Sequence, residues 1–112
     1  MEATLVSRNL AVLIDHENVH SANVSIEALL RNLNQRGRVI IKRAYGDWSR
    51  FSASKIELLR NGIDLIELPS IPRGKNRADI RLVVDAMEIA FTKDYIDTFV
   101  LVSGDSDFVQ LA

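Results

Sequence analysis

Four apolar runs, each separated from the next by a helical pattern, constrain this chain more than any other feature. "LAVLID" (Leu10–Asp15) is apolar up to its last residue, the pattern of a strand covered on both faces of a parallel sheet. "RVIIKRAYG", "IDLIELP" and "TFVLV" supply three further strands. Between the first two, Ser25 reads as the N-cap of "IEALLRNLNQRG", in which Ile26, Leu29, Leu30 and Leu33 share one face and Gly37 closes the helix. Ser52 reads as the cap of a second helix through "ASKIELLRNG", with Gly62 just past its end. A loop, "SIPRGKNR", then leads into a long helix, "ADIRLVVDAMEIAF", whose apolar face is Ile80, Val83, Val84, Met87 and Phe91 and whose polar stripe is Arg81, Asp85 and Glu88.

The order βαβαβαβ predicts an α/β fold with a mostly parallel sheet and right-handed crossovers. Strands one and four are the most apolar and should be central, while strand three, with Asp64 and Glu67, should lie at an edge. The simplest order is 3-2-1-4, with the winding reversing between strands one and four. The ending "FVQLA" reads as the start of a helix. Strand four would then be an open edge, so the expectation is a single domain over 1–112 that lacks a last helix and strand.

Composition narrows the class. At 112 residues and 47% hydrophobic, the chain is one globular domain, not a disordered one. It has no cysteine, which excludes disulfides and thiolate metal sites. No apolar run approaches the ~20 residues of a membrane span, and "MEATLVSRNL" lacks a signal-peptide pattern, so a cytoplasmic location without membrane partners is expected. With 14 basic and 15 acidic residues, net charge does not announce a polyanion partner. The position of the charges does.

Open α/β sheets bind ligands at the carboxyl ends of their strands, where the winding reverses. Asp15 ends strand one, and Asp105 and Asp107 follow strand four in "TFVLVSGDSDF". Three carboxylates at one crevice suit a hard divalent cation. Asp79, in the first turn of the long helix on its sheet side, is a fourth, since a carboxylate facing the sheet needs a partner to offset its desolvation. Asp85 is accounted for by an i,i+4 ion pair with Arg81 on a solvated face. Asn18 reads either as a residue that positions ligand or water, or as a turn or cap residue. His16 and His20 read as surface residues of a polar loop, and Trp48 either stacks a base or packs over the sheet end. Arg73, Lys75 and Arg77, in the loop before Asp79, would meet the phosphates of a polyanion.

"VLIDHEN", "KNRADIRLVVDAM" and "TFVLVSGDSDF" resemble the three signature segments of the NYN domain, in the LabA-like branch of the PIN-like nuclease superfamily. The likeness spans about residues 10–111. It implies a PIN-like, three-layer α/β/α sandwich and Mg²⁺- or Mn²⁺-dependent cleavage of RNA. On matching positions it makes Asp15, Asp79, Asp105 and Asp107 the metal ligands and catalytic acids, with Asn18 in support. The family pattern also tends to carry an acid where Asp85 stands. One local departure is Arg77-Ala78, where many members have a Gly-Val or similar pair.

The expected function is therefore metal-dependent hydrolysis of RNA, single-stranded by preference, with a homodimer left open. Two alternatives stand beside it. One is a non-catalytic metal- or RNA-binding module. The other is a haloacid-dehalogenase-type phosphatase, in which Asp15 would be the nucleophile and Glu17 the acid/base.

Overall fold

The computed structural model describes residues 8–68, 78–103 and 108–111, with the backbone alone described at 78, 79 and 108–111. The elements are β1 (Asn9–Asp15), α1 (His16–Ser21), α2 (Ile26–Asn34), β2 (Arg38–Gly46), α3 (Lys55–Arg60), β3 (Asp64–Glu67), α4 (Ala78–Thr92), β4 (Thr98–Val102) and β5 (Phe108–Leu111). The sheet runs β3-β2-β1-β4-β5. Its first four strands are parallel, in the expected order, and β3 is an edge.

Alternation along β1 divides the core in two. Leu10, Val12 and Ile14 pack with Ile26, Leu30 and Leu33 of α2 and Leu58 of α3 on one side of the sheet. Ala11 and Leu13 pack with Leu82, Ala86 and Ile89 of α4 on the other. Helices thus cover both faces, giving an α/β/α sandwich.

Local chemistry sets the helix ends. Ser25 Oγ accepts the Ala28 N–H at 3.1 Å, as an N-cap should. After α3, Gly62 takes φ +74, and the Ile63 and Gly62 N–H groups bond the Leu58 and Leu59 carbonyls, a Schellman closure. Gly37 is held by space instead: a Cβ there would stand 2.5 Å from the Arg8 carbonyl oxygen.

Four expectations are corrected. Ser52 opens a 3₁₀ turn, Ser52–Ser54, and α3 follows with no side-chain cap. The segment after Asp15, read as a polar loop, forms α1. The residues after Asp107 form β5, antiparallel to β4, instead of a helix; an apolar strand with one open side leaves backbone donors and acceptors that a neighbouring strand satisfies. Finally, α4 turns its other face inward. Leu82, Asp85, Ala86 and Ile89 are buried, while Ile80, Val83, Val84, Met87 and Phe91 are exposed.

Candidate functional site

From β1 the chain winds towards β2 and β3, then crosses back by α4, on the opposite face, to β4. The winding therefore reverses between β1 and β4, and Ile14 lies opposite Val102 at their carboxyl ends. Asp15 is the next residue on β1, and Ser103 the next after β4.

Asp15 is 2% exposed. It is also the N-cap of α1, which begins without a loop, so strand end and helix start fix the same carboxylate. Asn18 Nδ2 donates to Asp15 Oδ2 at 2.7 Å, and the Asn18 backbone N–H points at Oδ1 at 3.5 Å. Asn18 thus orients the Asp15 carboxylate, and Asp15 itself makes the cap. A buried carboxylate oriented by an amide is a hard oxygen donor of the kind Mg²⁺ and Mn²⁺ accept.

A second polar group borders Asp15 on the α4 side. Tyr45 stands opposite Asp15 in the β1–β2 register and is fully buried. Its hydroxyl donates to Asp85 Oδ2 at 2.6 Å. Burial, and then the hydrogen bond to Asp85, push the Tyr45 hydroxyl far above its ordinary range, so it stays protonated and a donor. Arg81 Nε reaches Asp85 at 3.1 Å, the i,i+4 pair expected, and Arg43 Nη1 lies 3.7 Å from Asp85 Oδ2. Asp85 is 6% exposed, however, so the pair is not on a solvated face. Two arginines and a phenol are what make that burial tolerable.

Behind Asp15, on the α1 side, His16 is 4% exposed among the rings of Trp48, Phe51 and His20, with centroids 5.0–5.9 Å away. It is not the surface residue the sequence suggested. Neither of its ring nitrogens has a hydrogen-bond partner among the described residues. Burial, with His20 nearby, lowers its pKa to about 4. Trp48 packs over the sheet end, donating Nε1–H to the Ile66 carbonyl at 2.9 Å, and at 6% exposure offers no open face for a base. Glu17 points away to an ion pair with Arg50 at 3.7 Å.

Asp105, Asp107, Arg73, Lys75 and Arg77 lie outside the described residues, as does the side chain of Asp79, whose backbone is in the first turn of α4. Among the described residues no three acids or histidines gather as a metal site. Sequence reasoning missed the Tyr45–Asp85 bond and the ring cluster around His16. Leu82, Ala86 and Ile89 repeat at helical spacing beside Asp85, which was the available signal for the first.

The profile of the NYN domain family matches residues 9–112, nearly the whole chain. The chain belongs to the NYN domain family. That family falls within the PIN-like nucleases, which are generally ribonucleases and usually use divalent metal ions. Neither curated proteins nor solved structures gave a match. Among the described residues of this NYN domain, no helix is long and apolar enough to cross a membrane.

Proposed function

We propose that this NYN domain, of the LabA-like branch, is a cytoplasmic ribonuclease that hydrolyses phosphodiester bonds of single-stranded RNA with Mg²⁺ or Mn²⁺. The observation that carries the reading is Asp15: a buried carboxylate, held by Asn18, at the reversal point of a NYN-family sheet. Asp79, Asp105 and Asp107 are the proposed companions of Asp15 as metal ligands and catalytic acids, on the strength of their motif positions. A divalent ion held by Asp15, Asp79, Asp105 and Asp107 would supply water activation and charge stabilisation for in-line displacement at phosphorus. Asn18 keeps the Asp15 carboxylate in one orientation, so little reorganisation is needed when RNA binds. Arg73, Lys75 and Arg77 hold flanking phosphates, and no nucleophilic side chain takes part.

The test is incubation of the purified protein with end-labelled single-stranded RNA in Mn²⁺, Mg²⁺ or EDTA. Cleavage with metal, none with EDTA, and loss by orders of magnitude in Asp15→Asn is the expected pattern. RNA that is bound tightly but never cut with either metal would move the protein to the non-catalytic class.

A further inference from the structure

Helix α4 carries two apolar stripes. Leu82, Ala86 and Ile89, with Asp85, face the sheet. Val84, Met87 and Phe91 are 54%, 57% and 86% exposed, and Ile80, one turn earlier, is 58% exposed. At about 100° per residue the second stripe is centred opposite the first. Position matters here. A helix lying beside α4 in the same layer would meet its flanks, about a quarter-turn from the sheet-facing side; the outward pole is covered only by another layer. The steps of four, three and four residues between Ile80, Val84, Met87 and Phe91 are those of the a/d seam of paired helices.

The geometry points to a second copy of this chain on that face: two α4 helices packed antiparallel about a two-fold axis, Val84 against the partner's Met87 and Phe91 against the partner's Ile80. Charge selects this occupant. Arg81 and Glu88 flank the same side of the seam, both exposed and seven residues apart. In an antiparallel pair like flanks face each other, so each Arg81 meets the partner's Glu88, and the two-fold axis makes the contact twice. A parallel pair brings unlike flanks together and loses both contacts. The other flank, Val83 and Ala90, is uncharged and small enough for close approach. A lipid surface would favour a flank rich in lysine and arginine, which one arginine and one glutamate do not make. Arg81 keeps its Nε bond to Asp85 in this arrangement and is 44% exposed on the flank.

Sedimentation of the 112-residue chain from low micromolar to several hundred micromolar concentrations tests this. A reversible monomer–dimer equilibrium is expected, weakened at least about tenfold by Phe91→Glu with circular dichroism unchanged, since Phe91 carries no core contact. Glu88→Arg should weaken it as well. Orientation is read by cross-linking, because the chain has no cysteine of its own. Val84→Cys mixed with Met87→Cys should form an intermolecular disulfide faster than either variant alone. A protein that stays monomeric throughout, a dimer indifferent to Phe91→Glu, growth beyond the dimer, or faster linkage of Val84→Cys to itself would each overturn the proposal.

Discussion

Asp15 owes its placement to two elements at once, as the last residue of β1 and the cap of α1. Removing its charge should therefore separate folding from metal binding: Asp15→Asn keeps a native spectrum because an asparagine still caps, while calorimetry should show Mn²⁺ affinity abolished or severely reduced. Tyr45→Phe tests the neighbouring group. It leaves Asp85 buried with its arginines but without the 2.6 Å hydroxyl bond, and should cost about 1–3 kcal/mol in urea unfolding. His16 gives a pH signature. Its pKa is about 4 in the folded protein against 6.5 when unfolded, so the unfolded chain binds more protons between those values. Stability should then fall as pH drops from 6.5 towards 4, by about 3 kcal/mol from this residue. His16→Phe should lack that component when unfolding is compared at pH 7 and pH 4.5.

At the scale of elements, the two glycines differ in kind. Gly62 needs its left-handed backbone, and an added Cβ meets only the end of the Lys42 side chain at 3.0 Å. Gly62→Ala should cost about 1 kcal/mol of backbone strain. At Gly37 a Cβ meets backbone, the Arg8 carbonyl that also accepts the Arg38 N–H at 2.7 Å. Gly37→Ala must push β1 and β2 apart at their start and should cost more, about 2–3 kcal/mol by thermal unfolding. Elements of this kind were legible where one local pattern decides them: the apolar run of β1, the Ser25 cap, Gly62 after α3. What was not legible depends on contacts made elsewhere. In α4 both sides are apolar by spacing, and the larger residues of the Ile80–Phe91 stripe outweighed Leu82, Ala86 and Ile89 in the sequence, although Asp85 goes in with the smaller set. Six residues of α1 are too few to show a period. His16 reads as polar surface until Trp48 and Phe51, far along the chain, close over it.

For the whole molecule, strand order and reversal point followed from the alternation of strands and helices, because a right-handed crossover leaves few ways to arrange four parallel strands. The reversal point between β1 and β4 could thus be located from sequence, whereas β5 could not, since its pairing with β4 is a tertiary event. If Asp15 and its proposed companions crowd negative charge there, the empty site repels itself and a bound cation relieves it. Mn²⁺ at about 100 times its Kd should add about 2.7 kcal/mol, on the order of 10 °C in melting temperature, and Asp15→Asn should not respond. The packing of Trp48 makes such titrations possible without a label. It is the chain's one tryptophan, shut away from water, with its ring centroid 5.1 Å from that of His16, the residue directly after Asp15. Its emission in the native protein should lie at the blue, apolar end of the indole range. Mn²⁺ is paramagnetic and quenches nearby excited states, while Mg²⁺ is not, so manganese bound beside Asp15 should dim the tryptophan and magnesium should leave it bright. The native fold thus carries its own lamp against His16, next to Asp15, and the difference between the two ions reads occupancy directly.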